Sequence, residues 1–376
     1  MKKRIKRFIK RLLPLLPGRR YVLLESVPDC SDNTKAVFDY LLAHSSYRFL
    51  WLVSDASRPW PKHPRVRYID RKGFFHRLVF AYRRAIARAI ICCNEFWPKL
   101  HARQLSVYLG HGTPFKSIRG YYTVPQGIDW VTVASDGVRE LCATQFNAPL
   151  EKCVPLGLAR NDRLLKDPVD LHSLFEGEFS RVAVWYPTFR QHKNVKNLSA
   201  SNTALPLIHD GPSAARLNDI ARELGVLLVI KPHFAQDLSY VKSQNLSHLR
   251  FIDDSFFVKN HLDSYQFVGS CDALISDYSS ILFDYLLCNK PVALVWEDME
   301  AYAQSPGFAL DPQEAGRGAY KIYTMEDMQA FLQDLSQGLD PLAPERSENR
   351  DWANLSPLPD NAARVGQFVL EKLSLR

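Results

Sequence analysis

CDALISDYSSILFDYLLCNKPVALV, residues 271–295, is the stretch whose reading decides the fold. It opens with a short β-rich run (Ala273 to Ser276) and turns through Ser-Asp-Tyr-Ser-Ser at 276–280. An apolar helix (Ile281 to Cys288) follows, and a second β-rich run at 291–295 closes the stretch. Strand, helix and strand of these lengths, apolar throughout, make the unit of a parallel sheet covered on both faces. The polar turn falls where a strand's carboxyl end meets a helix N-terminus, the place where open α/β sheets hold phosphate-bearing ligands. Asp277, Ser279 and Ser280 can cap that helix or line an anion site, and a plain N-cap is the simpler reading.

The same rhythm runs in both directions from this stretch. Upstream lie VAVWYP (182–187), a helix at 214–224, VLLVIKPH (226–233), LRFID (249–253) and a helix near 260–268; downstream lies a helix at 326–335. An earlier series begins at Tyr21: YVLLES, a helix at 34–44, YRFLWLVS, a helix at 74–90, AIICCN, SVYLG, WVTVAS, a helix near 136–146 and CVPLG. A polar stretch at 161–180 with Pro168 separates the two series, and 191–213 is long, polar and unpatterned. Residues 338–360, punctuated by Pro341, Pro344, Pro357 and Pro359, read as a connector to a last amphipathic helix at 360–374. Two doubly wound α/β domains with a cleft between them are expected, over 21–165 and 175–340, with 341–376 as connector and C-terminal helix.

Composition supports a folded body and isolates one unusual segment. The 376 residues are 46% hydrophobic and 23% charged, which excludes a disordered, collagenous or disulfide-stapled chain. Nine of the 48 Lys and Arg stand in residues 1–20 without an acid, leaving 39 basic against 40 acidic residues elsewhere. Ile5, Phe8, Ile9, Leu12 and Leu13 fall on one helical stripe there, so 1–20 is expected to be a basic amphipathic helix lying on an anionic membrane surface. A second basic helix at 71–90 repeats the pattern, with Phe75, Leu78, Val79, Tyr82, Ile86 and Ala89 as its stripe and Arg77, Arg84 and Arg88 as a separate basic row. No basic, aromatic-interleaved surface points to nucleic acid. Without a spanning apolar run or a secretory signal, the chain is expected on the cytoplasmic side of a membrane, held peripherally. The seven cysteines lack C-x-x-C spacing and read as small apolar fillers.

Further residues at strand exits carry chemistry. His111 stands between two glycines in Gly110-His111-Gly112-Thr113-Pro114, open to a ligand and suited to general-base work, with Lys116 near it in sequence. His233 ends the run at 226–233, and Arg190 leaves another strand in Trp185-Tyr186-Pro187-Thr188-Phe189-Arg190. Together they make an anion site. No glycine-rich dinucleotide or P-loop motif occurs, and no D-x-D at a strand exit is present to hold a divalent metal; Asp253-Asp254 lacks that spacing.

Taken in order, the motifs resemble those of the CDP-glycerol glycerophosphotransferase family, the teichoic acid primases and polymerases. The matching elements are Glu25-Ser26 with Ser31-Asp32-Asn33, His111-Gly112-Thr113-Pro114 with Lys116, and Gly157-Leu158 with Arg160-Asn161-Asp162. They continue with Tyr186-Pro187-Thr188 and Arg190, Lys231-Pro232-His233, Asp277-Tyr278-Ser279-Ser280 with Phe283-Asp284, Asn289-Lys290-Pro291, and Asp298 through Tyr302. The resemblance implies two Rossmann-like domains of the GT-B kind, peripheral membrane association, and transfer of glycerol phosphate from CDP-glycerol to a lipid-linked acceptor with release of CMP. It implies His111 as the base, with His233, Arg190, Lys116, Thr188, Ser279 and Ser280 about the donor's phosphates, Asp277 orienting the turn, and Glu297 or Asp298 at the ribose. CDP-glycerol is then a substrate, and no bound cofactor is called for. Two rival readings are a GT-B glycosyltransferase using a nucleotide sugar and a non-catalytic membrane-surface binding module.

Overall fold

The computed structural model describes all residues except 1–20, 72–73, 189–204, 233–237, 239–240, 242–244, 305–306 and 355, and the backbone alone for 74–78. The expected N-terminal helix, His233 and Arg190 therefore lie outside the described residues. Two compact units are present. The first takes the described residues up to Gly112, then Gly120–Asp162 and Leu358–Arg376; the second takes Thr113–Arg119 and Arg163–Pro357. The last helix thus belongs to the first unit, and the segment just after His111 packs with the second.

Each unit is built on one all-parallel sheet. The first has strands β1 (Tyr21–Glu25), β2 (Arg48–Val53), β3 (Val66–Asp70), β4 (Ala89–Cys92), β5 (Leu105–Tyr108), β6 (Trp130–Val133) and β7 (Cys153–Pro155), in the order β3-β2-β1-β4-β5-β6-β7. The second has β8 (Arg181–Trp185), β9 (Val226–Ile230), β10 (Leu249–Phe251), β11 (Ala273–Ser276), β12 (Val292–Val295) and β13 (Tyr320–Ile322), in the order β10-β9-β8-β11-β12-β13. Both orders reverse direction once, between β1 and β4 and between β8 and β11. That is the doubly wound Rossmann-like arrangement, and each reversal is a topological switch point.

The apolar runs explain why both faces are covered. In β9, Leu227 and Val229 enter one core while Val226, Leu228 and Ile230 enter the other, and β12 divides its side chains the same way. In the first sheet, Phe49, Trp51 and Val53 of β2 face one core and Leu50 the opposite one. Period-two alternation is hidden in the sequence because both faces are apolar.

Four local expectations are corrected. The helix over 74–90 is Phe74–Ile86 and stops before β4, whose first residue is Ala89. Its basic row is broken: Arg88 lies beyond the last helical residue and donates to carbonyls of Arg103 and Leu373, while Arg84 stacks over Trp97, 5.0 Å from the ring centroid, and donates to the Pro98 carbonyl. The helix near 260–268 is two short ones, Asp254–Lys259 and Ser264–Ser270, each capped by an aspartate (Asp253, Asp263). The connector contains a helix, Ala343–Ala353, with Pro344 in its first turn, where a missing N–H costs no hydrogen bond.

Candidate active site

At the first unit's switch point, Glu25 ends β1 fully buried and its Oε2 accepts backbone N–H groups of Cys93, Asn94 and Glu95 at 3.2–3.3 Å, lacing the exits of β1 and β4 together. Burial raises the Glu25 pKa despite those hydrogen bonds. His111 follows β5 on a tight turn. Gly110 and Gly112 have φ of +69° and +114°, which a side-chain-bearing residue rarely adopts, and a Cβ on Gly110 would stand 3.1 Å from the Thr132 carbonyl.

That turn aims the imidazole at Asp32, the first residue of the helix Asp32–His44. Asp32 Oδ2 is 2.7 Å from His111 Nδ1, and Asp32 Oδ1 accepts from Arg160 Nη1 at 2.9 Å and from the Asn33 N–H at 2.7 Å. Burial alone would raise the Asp32 pKa; the Arg160 guanidinium and the His111 hydrogen bond outweigh it and hold the carboxyl well below the usual range. An ionised Asp32 accepts from His111 Nδ1–H, so that in the neutral imidazole Nε2 is the nitrogen that carries the lone pair. The His111 side chain is 53% exposed against 9% for Asp32, so the anchor is buried and the imidazole is open. Arg160 also donates to the His111 carbonyl at 3.4 Å, and Asn33 bridges the Gly110 carbonyl and the Arg160 N–H. Asn161 is buried beside them, while both Asp162 oxygens hold the start of the helix Asn361–Ser374 through Asn361 and Ala362.

The second unit's switch point is laced in a similar way. Asp277, fully buried after β11, accepts from the Thr188 N–H at 2.8 Å and the Thr188 hydroxyl at 2.5 Å beyond β8, and from the Tyr278 N–H at 2.6 Å. Tyr278 stacks on Tyr302 with centroids 4.0 Å apart, and its hydroxyl donates to Asp298 at 2.9 Å. Glu297, next to Asp298, accepts from His209 at 2.8 Å and from the Leu207 N–H at 3.0 Å. Ser279 and Ser280 are half-buried; Ser280 occupies the cap position of the helix Ile281–Tyr285, yet its hydroxyl makes no capping hydrogen bond. Lys116 pairs in backbone register with Phe308, beside Phe115, whose ring meets Tyr278 at 6.4 Å. Desolvation lowers the Lys116 pKa and the attraction of Asp277 opposes it, which puts the ammonium within electrostatic range of the same turn.

The structure thus groups Lys116, Thr188, Asp277, Ser279, Ser280 and Asp298 in one unit and His111 in the other. The reading of single residues passed over Asp32 and Arg160 as partners of His111. Both stand in the ordered motif set, and a charged pair without a sequence-local partner was the available signal. Among the described residues no cluster of three His, Cys, Asp or Glu side chains is placed to hold a metal ion.

Two doubly wound parallel units, each with a polar cluster at its switch point, make the two-Rossmann-domain fold of the GT-B type. The chain belongs to the CDP-glycerol:poly(glycerophosphate) glycerophosphotransferase family, whose sequence profile matches residues 8–351. The teichoic acid glycerol-phosphate transferase of Staphylococcus aureus (strain NCTC 8325 / PS 47) is 23% identical over 369 residues, covering 90% of this chain and 89% of that protein. The teichoic acid glycerol-phosphate primase of Bacillus subtilis (strain 168) is 22% identical over 191 residues, half of this chain and 45% of the other. The wall teichoic acid polymerase TagF has a similar fold, with a TM-score of 0.74 at 17% identity over 99% of this chain and 94% of that one.

Proposed function

We propose that the protein transfers glycerol phosphate from CDP-glycerol to a hydroxyl of a lipid-linked acceptor in the synthesis of a teichoic-acid-like polymer, releasing CMP. Family membership supports the donor, and a TagF variant was soaked with CDPG. The observation that carries the mechanism is His111, exposed, hydrogen-bonded through Nδ1 to a buried carboxylate that Arg160 keeps ionised.

In this reading the acceptor oxygen attacks the phosphorus bearing the glycerol, and His111 Nε2 takes the hydroxyl proton. The bond from that phosphorus to the bridging oxygen breaks, and the oxygen leaves with CMP. Little covalent chemistry falls to the protein in such a displacement, so positioning and charge stabilisation dominate. Lys116 and the hydroxyls of Ser279 and Ser280 supply charge and donors for the diphosphate, with His233 and Arg190 as further members of the set. Thr188 and Asp277 fix the turn, and Asp298 fixes Tyr278 beneath it.

The protein acts, in the same proposal, on the cytoplasmic face of a bacterial membrane, held by the basic segment 1–20; among the described residues no helix is long and apolar enough to span a bilayer. The test is nucleotide release from radiolabelled CDP-glycerol, CDP-ribitol and UDP-N-acetylglucosamine with a lipid-linked acceptor. CMP release from a CDP-alditol supports the reading, and UDP release alone would replace it with sugar transfer. Deleting residues 2–16, which carry seven basic residues and the apolar stripe, should release the chain from anionic vesicles.

A further inference from the structure

A cavity of 430 Å³ opens beside Tyr21 and Arg48, the first residues of β1 and β2, and runs along β3 to Ile69. Its walls include four arginines, Arg48, Arg65, Arg67 and Arg83, with Tyr21 and Val79, and no acidic residue. Two of the arginines are built into the wall. Arg65 donates to the carbonyls of Leu42 and Ser45, and Arg83 lies over the Tyr21 ring at 5.4 Å from its centroid and donates to its hydroxyl at 3.4 Å. Arg48 and Arg67 are exposed, and among the described residues neither makes an ion pair or side-chain hydrogen bond. Carbonyl dipoles and a phenol do not neutralise a guanidinium, so the cavity concentrates positive charge about a space large enough for a phosphate and its substituent.

We propose that this cavity binds the phosphate headgroup of an anionic phospholipid of the bilayer. Two observations select a lipid over a soluble anion. Val79 on the cavity wall and Tyr82 on the same helix are each 48% exposed, which sets apolar and amphipathic surface beside the charge, as an interfacial helix does. The basic segment 1–20 joins the body at Tyr21, itself a wall residue, so the two basic features share one edge. The reacting donor is not its occupant, because none of Asp32, His111 and Arg160 is among the lining residues.

The proposal rests on the reading of the chain as a membrane-surface enzyme, and the test separates the two. The full chain, Arg48→Gln with Arg67→Gln, a charge-matched control of Arg139→Gln with Arg216→Gln, and the 2–16 deletion are sedimented with phosphatidylglycerol–phosphatidylcholine vesicles. A basic residue near an anionic surface is worth roughly 5-fold in partitioning, so the cavity pair should weaken binding by roughly 30-fold and the control by under 3-fold. CMP release with a soluble acceptor should be unchanged in the cavity variant. Equal losses in cavity and control variants would overturn the site. Inorganic phosphate protecting the cavity arginines from phenylglyoxal while vesicles do not would overturn the lipid as its source. If the deletion weakens vesicle binding while the cavity variant binds as the full chain does, the membrane reading stands and the cavity proposal falls; if the intact chain does not bind vesicles, both fall.

Discussion

Replacing Asp32 by Asn changes one oxygen to an amino group and leaves the volume of the site intact. The wild-type carboxylate accepts from His111 at 2.7 Å, from Arg160 at 2.9 Å and from the Asn33 N–H at 2.7 Å. An amide has one oxygen for these donors, so its NH₂ must face either the guanidinium or the imidazole Nδ1. Facing the imidazole, it turns the ring to the tautomer with Nδ1 as acceptor and places the proton on Nε2, where the base should have its lone pair. The same change in a serine-protease triad costs about 10⁴ in turnover, and a positioned base is typically worth 10²–10⁴, so a fall of about 10²–10⁴ in kcat is expected. Stability should fall as well, by up to about 3–5 kcal/mol, because Arg160 is left buried without its carboxylate. A double variant, Asp32→Asn with Arg160→Met, removes that stranded charge and should recover stability without recovering rate. The pH dependence is a separate mark. Asp32 has a depressed pKa in the folded protein, so its contribution is present above the unfolded value of about 3.9 and is lost as pH falls through the folded one. The variant should therefore lose part of the acid-side decline in melting temperature. Single-turnover CMP release and calorimetric binding of CDP-glycerol measure the catalytic part. A kcat within 5-fold of wild type, alongside a clear drop in melting temperature, would show that Asp32 only supports the fold and would refute the positioning argument.

Asp162→Ala removes three hydrogen bonds from a carboxylate to the start of the helix Asn361–Ser374 and should destabilise the first unit by about 2–4 kcal/mol, read by urea unfolding and by faster amide exchange over 361–374. Ser279→Ala with Ser280→Ala should lower donor affinity and turnover together with little change in melting temperature, since Ser280 makes no capping bond; normal donor binding with a large stability loss would return the pair to a structural role. Burial raises the thiol pKa of Cys92, Cys142 and Cys271, which keep their protons in the folded state while unfolded thiols ionise near 8.5. Stability is then full below about pH 8.5 and is lost as pH rises, so the melting temperature should decline above about pH 9 in a reducing buffer; a flat profile to pH 10.5 would contradict this.

The sheets were legible because parallel strands covered on both faces are written as unbroken apolar runs: β1, β2, β4, β9, β11 and β12 all stand in such runs. Two of the four edge strands, β3 and β13, were not. In β3 only Val66 and Ile69 are buried, and β13 is three residues with one buried, so neither rises above its polar surroundings. The C-terminal helix was recognised from its periodicity, but its docking on the first unit is set by Asp162, 199 residues away from Asn361, which no local pattern records. The strand-exit rule found His111 and the 276–280 turn from neighbours in sequence. Asp32 and Arg160 escaped it because their relation to His111 is made by three separate loops of one sheet, and the hold of Asp298 on Tyr278 is a hydrogen bond between separate strand exits.

The central claim is that His111 is the base. His111→Ala leaves Asp32 paired with Arg160, so the fold should persist, and the donor-side residues of the second unit are untouched. Calorimetric binding of CDP-glycerol and CMP release in the presence of acceptor, measured on one preparation, should give a near wild-type donor affinity with turnover at least ~100-fold slower. Wild-type turnover by the folded variant would contradict the account and remove His111 from the mechanism.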